Sequence, residues 1–391
     1  MITTTEKINK LRTRMLDKKI KIMIMGLGSV GTYLLDYIVS RNDDKLEVVV
    51  VGREYEKLVS DVNIVRVGAL IRKLNKTNII IESDVDFNNI AVVSEVIKRH
   101  DPDFIVNTSR VYSGLKYGSI SWKNVRAYGI WTPLAVKYIK NIMEAYEIAG
   151  CEAIVINTSY SDAVNPWLKS AGLPYPDFGS GNLNHLLPRI KFMVAEKLNI
   201  KDFWNVKVLM ATSHFHDVVI SKEGQTEKME QLLYIEYDGK KVDIPQEDIF
   251  AACKIPMPVD AKRNMMNASS NYDIIFSIIE AIRNKDVRIF ESPGAFGEIG
   301  GYPVKIDGTK DNVIVEIDDS VFGLEEMRTA NRKSIYYDGI ENVENGVLTY
   351  SDELIVKVEK VFGEKLVKRV DFNGLPEVVD FLIEKIIKKS L

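Results

Sequence analysis

A glycine-rich turn between an apolar run and a helical pattern constrains the fold of this chain most strongly. The run Lys19–Met25 has the length and apolar alternation of a strand, and it ends directly in Gly26-x-Gly28-x-x-Gly31. The first glycine of this motif allows a tight turn, the second lets a pyrophosphate approach the backbone, and the third lets the helix pack close to the strand. The pattern therefore predicts a βαβ unit whose helix N-terminus binds the phosphates of a dinucleotide.

More strands and helices alternate after this turn, and they predict a doubly wound parallel sheet of the Rossmann type. Apolar runs at Leu46–Val51, Asn78–Ile81, Phe104–Val106 and Ala153–Ile156 are separated by helical patterns. Ligands of such sheets lie beyond the carboxyl ends of the strands. The predicted cofactor-binding residues are therefore Gly26, Gly28, Ser29, Val30, Gly31, Arg53, Asn107, Thr108 and Ser109.

The residues after the second strand bear on the choice of dinucleotide. An NAD-specific fold usually carries an acidic residue there, which binds the ribose 2′-hydroxyl. Gly52 and Arg53 stand at this position instead, and an arginine can pair with a 2′-phosphate. We expect NADP as the cofactor, with NAD as the alternative because Glu54 follows and could reach a ribose.

Composition narrows the class of protein. The chain has 391 residues, enough for two domains, and its net charge of −3 creates no field that would recruit nucleic acid. No apolar run is long enough to span a membrane. The two cysteines, Cys151 and Cys253, lie far apart, which is typical of a reducing compartment. We expect a cytoplasmic protein that acts on a small-molecule substrate, with no membrane or nucleic-acid partner.

The second half of the chain predicts an α+β domain. Hairpin signals such as Asp238-Gly239 stand among helical patterns. We place the domain boundary after residue 165, so that residues 1–165 bind the dinucleotide and residues 166–391 form the substrate and catalytic domain. His214 and His216 follow a predicted strand and would share a face if that strand continued. Asp217 is the only other residue nearby in sequence of a type that binds metals, so we predict no metal site.

Four segments resemble the lactate/malate dehydrogenase family. They are the glycine turn, I-V-I-N-T-S at 154–159, the long segment 179–198, and S-H-F-H-D at 213–217. The resemblance implies a Rossmann domain followed by an α+β catalytic domain, and hydride transfer between a nicotinamide and a carbonyl or hydroxyl group. It also implies that His214 is the acid/base, that Asn157 binds the reacting oxygen, and that subunits assemble as a homodimer or homotetramer.

Two departures from the family pattern change which substrate we expect. The aspartate that pairs with the family's histidine falls on Asn184, so we expect Asn184 to orient His214, although an amide cannot stabilise an imidazolium as a carboxylate does. The family's carboxylate-binding arginine falls on Leu187. A plain lactate or malate dehydrogenase is therefore not expected. The remaining candidate substrate-binding residues are Arg189 on the same helix and Arg110 and Arg126 in a long predicted binding loop.

Three other functions stay open. Segments 84–87 and 101–109 look like the extended short-chain dehydrogenase/epimerase group, which acts on sugar nucleotides, but the only match to its Tyr-x-x-x-Lys motif, Tyr112–Lys116, comes too early in the chain. The NAD-dependent glycosidases share the dehydrogenase fold and would need a metal site near the nicotinamide. A non-catalytic NADP-binding protein would fit the loss of the family's aspartate and arginine.

Overall fold

The computed structural model describes residues 2–74, 76–112, 114–181 and 183–390, without the side chains of residues 115, 116 and 119. The α-helices are α1 (Thr4–Asp17), α2 (Ser29–Ser40), α3 (Tyr55–Ile71), α4 (Ile90–His100), α5 (Gly114–Asn124), α6 (Thr132–Ile148), α7 (Ser161–Ser170), α8 (Leu183–Leu198), α9 (His214–Glu223), α10 (Gln246–Ala252), α11 (Asn264–Asn284), α12 (Leu324–Tyr337), α13 (Asp352–Phe362) and α14 (Leu375–Phe381).

The strands are β1 (Ile20–Met25), β2 (Leu46–Val51), β3 (Asn78–Glu82), β4 (Phe104–Asn107), β5 (Ile154–Asn157), β6 (Phe178–Gly179), β7 (Lys207–Ala211), β8 (Leu232–Tyr237), β9 (Lys240–Lys241), β10 (Val287–Pro293), β11 (Gly301–Asp307), β12 (Ile314–Ile317), β13 (Ile340–Glu344), β14 (Val347–Tyr350) and β15 (Arg369–Val370). Single 3-10 turns stand at Gly129–Trp131, Phe203–Asn205, Ala261–Arg263, Ala295–Gly297 and Lys388–Ser390, and a π-helical turn at Leu382–Ile387.

The first six strands form one parallel sheet in the order β3-β2-β1-β4-β5-β6. Ile22 of β1 pairs with Val48 of β2 on one side and with Phe104 of β4 on the other. The chain reverses its direction of winding between β1 and β4, so the crevice at their carboxyl ends is the place where such sheets bind ligands. The predicted Rossmann fold is confirmed.

Helices cover both faces of the parallel sheet, which is why its strands are almost wholly apolar. Alternate residues of β1 point to opposite faces. Ile22 and Ile24 belong to the buried cluster that includes residues of α2 and α11. Met23 and Met25 belong to the cluster that includes residues of α4 and α6. None of the helices among the described residues is long and apolar enough to cross a membrane.

The second half adds three antiparallel sheets, β7-β8-β9, β10-β11-β12 and β13-β14-β15, which confirms the α+β character expected there. The predicted boundary after residue 165 would fall inside α7, and β6 of the parallel sheet comes after it. The division into domains stays a prediction.

The last of these sheets packs on the nucleotide-binding half, against α6 and α7. Ile340 of β13 is buried in the same cluster as residues of α6, and the Trp167 indole of α7 donates a hydrogen bond to Gly346 O at 2.9 Å. The Gly129 N–H donates to Asp338 O at 2.8 Å, and a side chain at Gly129 would collide with that carbonyl. This close approach brings Asp338, which follows α12, to the carboxyl edge of the parallel sheet.

Two segments differ from the sequence prediction. The long loop expected at 110–128 contains α5, whose glycines and serines are poor helix formers; burial of Tyr117 and Ile120 stabilises it instead. The segment after β7 turns into helix α9, so His214 and His216 are about 200° apart around the helix and do not share a face.

Candidate active site

A cavity of about 1020 Å³ runs along the carboxyl edge of the parallel sheet and continues into the second half of the chain. At one end it is lined by the glycine turn, at the other by residues of α8, α9 and the start of α11. A volume of this size suits a large ligand that is bound in an extended form.

The glycine turn shapes the nucleotide end of the cavity. Gly26 has φ +95°, which favours glycine, and a side chain at Gly31 would collide with Gly26 O. Nothing lies within 4 Å of the position that a side chain at Gly28 would take, and Gly28 caps α2 without a side-chain hydrogen bond. The first N–H groups of α2 are thus open to a phosphate beside Ser29 and Val30, which line the cavity. These residues fit a dinucleotide.

Arg53 lies exposed at the same end of the cavity, beside Glu54. It forms no ion pair within the described part of the chain, so its guanidinium is available to a ligand. The space beside Gly52 is taken by Leu58, whose Cδ2 would lie 3.0 Å from a side chain there. Gly52 therefore makes room for packing against α3.

Residues 107–109, at the end of β4, divide into a buried residue and two that face the cavity. Thr108 and Ser109 line the cavity. Asn107 is 1% exposed, donates to Asn157 Oδ1 at 3.0 Å, and accepts from Ser109 Oγ at 2.6 Å. Asn107 thus positions the neighbouring loop and does not line the cavity.

Asn157 is also a buried structural residue. Its Oδ1 accepts from Asn107, and its Nδ2 donates to Ser159 O at 3.1 Å and to Asn165 Oδ1 at 3.2 Å. It is fully buried and does not line the cavity. The prediction that Asn157 binds the reacting oxygen is corrected, because its amide is already satisfied by the loop that follows β5.

His214 lies at the N-terminus of α9 and lines the cavity. Its Nδ1 is 3.0 Å from Oδ2 of Asp338, a fully buried carboxylate. The Asp338 carboxylate also accepts from Tyr160 Oη at 2.7 Å and from the Tyr128 N–H at 2.7 Å. Asp338 is therefore held by two other segments in the orientation in which it meets the imidazole.

Two tyrosines flank the imidazole. The ring of Tyr128 lies 4.6 Å from that of His214 and the ring of Tyr160 lies 5.2 Å from it, centroid to centroid. Burial raises the pKa of both phenols, so both are protonated at neutral pH. Their rings wall His214 off from bulk water on these sides.

Asp162 is a second buried carboxyl group beside His214. Its Oδ1 accepts from the His214 N–H at 3.0 Å, and its side chain is 4% exposed. Burial raises the pKa of Asp162 to about 6, because the ionised form loses hydration.

The structure gives Asn184 a different place from the one expected. Its Nδ2 donates to Glu291 O at 2.9 Å, and it does not line the cavity. The prediction that Asn184 orients His214 is corrected: Asp338, 124 residues after His214 in the chain, meets the imidazole. Leu187 is buried in an apolar cluster.

The three candidate substrate arginines are placed differently. Arg189 is 3% exposed and lines the cavity. Arg110 also lines it and donates to Tyr117 Oη at 3.2 Å. Arg126 lies outside the cavity and is engaged by two surface carboxylates, Glu223 and Glu227, so the prediction that it binds substrate is corrected.

The other histidines have distinct environments. His216 is fully buried, with Nδ1 2.6 Å from Ser334 Oγ and Nε2 3.1 Å from Thr226 O, and burial lowers its pKa to about 4. It is a structural residue, which leaves His214 as the candidate acid/base. His185 lines the cavity, and burial lowers its pKa to about 3.

Among the described residues, no group of three or more His, Cys, Asp or Glu side chains is arranged to hold a metal ion. The Lys116 side chain of the Tyr-x-x-x-Lys match lies outside the described residues.

Sequence reasoning missed four residues of the site: Tyr128, Tyr160, Asp162 and Asp338. Asp162 and Tyr160 follow β5, where a polar residue after a parallel strand is a signal. Asp338 follows a helix and precedes a glycine, which reads as an ordinary helix end. Only its docking beside Gly129 connects it to the site.

No protein-family model matches the chain, and no curated protein matches it significantly in sequence. Solved structures do match it in fold. The malate dehydrogenase of Plasmodium falciparum in complex with NADH is 16% identical, with a TM-score of 0.51 over 82% of this chain and 96% of that one. The lactate dehydrogenase of Eimeria maxima with NADH and oxamate is 16% identical, with a TM-score of 0.51 over 82% and 93%.

The lactate dehydrogenase of Cryptosporidium parvum, complexed with lactic acid and β-nicotinamide adenine dinucleotide, is 14% identical, with a TM-score of 0.53 over 82% of this chain and 96% of that one. At such low sequence identity, these matches show a shared fold and nothing more. The chain has the two-part fold of the malate and lactate dehydrogenases.

Proposed function

We propose that this protein is a nicotinamide-dependent oxidoreductase that transfers a hydride between a dinucleotide and a carbonyl or hydroxyl carbon of a small molecule. One observation carries the proposal. His214, whose imidazole meets Asp338, lines the same cavity as the open N-terminus of α2. A phosphate-binding turn and an acid/base thus face one ligand space.

Hydride transfer to a carbonyl leaves charge on its oxygen, which must receive a proton. A bound nicotinamide dinucleotide would supply the hydride donor or acceptor. His214 gives or takes the proton, because histidine changes charge near neutral pH, and Nε2 is the nitrogen that faces away from its Asp338 contact. Asp338 stabilises the imidazolium, the part that an amide at 184 could not perform.

Of the two nicotinamide dinucleotides, we propose NADP as the cofactor. Arg53 supports it, since an exposed guanidinium at the nucleotide end of the cavity would pair with a 2′-phosphate. We also propose that the substrate is not simply lactate or malate. Support comes from Leu187, an apolar residue where those enzymes have a carboxylate-binding arginine, and from the continuation of the cavity beyond His214 to Arg189 and Lys254.

The His214–Asp338 pair favours an enzyme over a non-catalytic NADP-binding protein. A histidine whose imidazole meets a buried carboxylate costs desolvation energy that simple cofactor binding does not require. Assembly into a homodimer or homotetramer stays a prediction, which light scattering after gel filtration would test.

The function is tested with His214→Gln. We expect turnover of NADPH, followed at 340 nm with a panel of 2-oxo acids, aldehydes and ketones, to fall by about 10²–10⁴-fold, the usual contribution of a positioned acid/base. NADPH affinity, measured by fluorescence titration, should change little. Lys333→Gln is the control, since Lys333 is exposed on α12 and lies outside the cavity. Undiminished turnover in His214→Gln would contradict the proposal, and so would a wild-type protein that binds neither NADPH nor NADH.

A further inference from the structure

Beyond His214 the cavity continues into a space that we call the cationic chamber. Its walls are α8, α9 and the segment between α10 and α11. The charged and titratable side chains that line it are His185, Arg189, Asp217, Lys222, Lys254 and Arg263.

The charges in the cationic chamber are unbalanced. Four cations face one carboxylate, and none of the four forms an ion pair with a described residue. Burial, followed by the charge of Arg263, lowers the pKa of both Arg189 and Lys222. Arg189 is buried and Arg263 half-buried, whereas Lys222 and Lys254 are exposed. Like charges beside the buried Arg189 are costly unless an anion compensates them.

Arg189 is held in place by the protein and still has unused donor capacity. Its Nη1 donates to Ser221 O at 3.1 Å and to Cys253 O at 3.3 Å, both neutral carbonyls. The Nε of this side chain, which is 3% exposed, has no hydrogen-bond partner among the described residues. His185 Nε2, in the same wall, likewise has none within that part of the chain. Both are buried polar atoms that a ligand could satisfy.

The chamber is some distance from the acid/base. Ser221, which binds the Arg189 guanidinium, comes seven residues after His214 on α9. At 1.5 Å per residue this is about 10 Å along the helix. In a 2-oxo acid the carboxylate is bonded to the reacting carbon, so an anion in the chamber belongs to a longer molecule.

We propose that the cationic chamber binds an oxyanion, a carboxylate or a phosphate, at the far end of the substrate, roughly 10 Å from the carbon that reacts beside His214. The inference rests on the proposed function only for the position of the reacting carbon. Arg263 and Lys222 supply charge, and Arg189 supplies a fixed donor, since a guanidinium suits the planar geometry of oxyanions.

The test is anion binding to the full-length protein, measured by calorimetry with inorganic phosphate and with glutarate as separate probes. At least one probe should bind with a millimolar or lower Kd, and the tighter one identifies the preferred oxyanion. Arg263→Gln and Lys222→Gln should each raise that Kd by about tenfold or more, the effect of one charged hydrogen bond. Lys333→Gln on the outer surface should leave it unchanged. Saturating NADPH should also leave it unchanged.

Three outcomes would overturn the inference. One is that the wild-type protein binds neither probe. Another is that NADPH displaces the anion, or that Arg263→Gln weakens NADPH binding as much as it weakens binding of the probe. Either result would mean that these cations bind the dinucleotide phosphates. This alternative must be tested because the neighbouring Asn264 Nδ2 donates to Ser29 Oγ of the glycine turn. The third is that Arg53→Gln, and neither chamber variant, abolishes binding. A failure of the proposed function, in contrast, would appear as absent turnover or absent NADPH binding with chamber binding intact.

Discussion

The two ends of the cavity are built in different ways. The glycine turn at the nucleotide end joins one strand to one helix, and its cavity-lining residues lie within 26–30; Gly52 and Arg53 add to this end from beyond β2. The other end, which we call the catalytic end after the role proposed for His214, joins Tyr128, Tyr160, His214 and Asp338. The hydrogen bond from Tyr128 to Asp338 spans 210 residues. The first is a local structure that a short sequence specifies. The second exists only when the C-terminal segment has packed on α6 and α7.

The difference has a consequence for how each end tolerates change. A local site loses affinity when one of its own residues changes. A site assembled from distant segments depends on residues far apart in the chain, as His214 meets Asp338 across 124 residues. Five substitutions test this contrast.

The largest effect is expected for Asp338→Asn. Loss of the carboxylate removes the group that orients and stabilises the His214 imidazolium, so turnover should fall by about 10²–10⁴-fold with NADPH affinity unchanged. Asn184→Ala is the matched control and should reduce turnover far less. If the two variants lost turnover equally, the catalytic end would follow the family pattern after all.

Asp162→Asn measures how much the ionisation of this buried carboxyl group lowers the free energy of unfolding. The pKa of Asp162 is about 6 in the folded protein and near 3.8 when unfolded, so the unfolded chain ionises first as pH rises. This group therefore makes no contribution below pH 3.8, lowers stability between pH 3.8 and 6, and costs roughly 3 kcal/mol above that range.

The asparagine keeps an acceptor for the His214 N–H and never ionises. Urea denaturation should therefore show Asp162→Asn more stable than the wild type at pH 7, with the difference vanishing near pH 3.5. An equal difference at both pH values would mean that the ionisation of Asp162 is not the cause.

At the nucleotide end, two glycines should behave differently. Gly28→Val places a side chain in open cavity space, so it should weaken NADPH binding by about 1.4 kcal/mol or more, which is tenfold or more, without lowering the free energy of unfolding. Gly31→Val would collide with Gly26 O and should lower that free energy. NADPH titration and urea denaturation of both variants separate the two effects. Equal stability of the two variants would refute the packing role of Gly31.

The smallest effect is expected for Arg53→Gln, since its guanidinium is exposed. Loss of a charged contact with a 2′-phosphate should raise the Kd of NADPH by about tenfold and leave that of NADH nearly unchanged. Lys45→Gln, an exposed change before β2, is the control. Equal weakening of both dinucleotides would sink the preference for NADP.

The sequence predicted the parallel sheet and the glycine turn between β1 and α2 because both depend on short-range patterns. A buried strand needs a run of apolar residues, and the turn needs glycine at fixed spacings, so both are visible in a dozen residues. His214 was found through the resemblance at 213–217, but the helix that carries it was read as a strand end. No pattern in the sequence near His214 predicts that its ring packs between Tyr128 and Tyr160.

Tertiary structure alone decided the rest of the catalytic end. Asn157 and Asn107 looked like ligand-binding residues after parallel strands, yet they satisfy each other and the loop beside them. Asp338 looked like the end of a surface helix, yet it is fully buried. The shape of the glycine turn is specified by its own residues, since Gly26 has a positive φ and Gly31 lies against Gly26 O. The partner of His214 is specified by which distant surface packs against Gly129, and that depends on the burial of a whole segment, not on any local pattern.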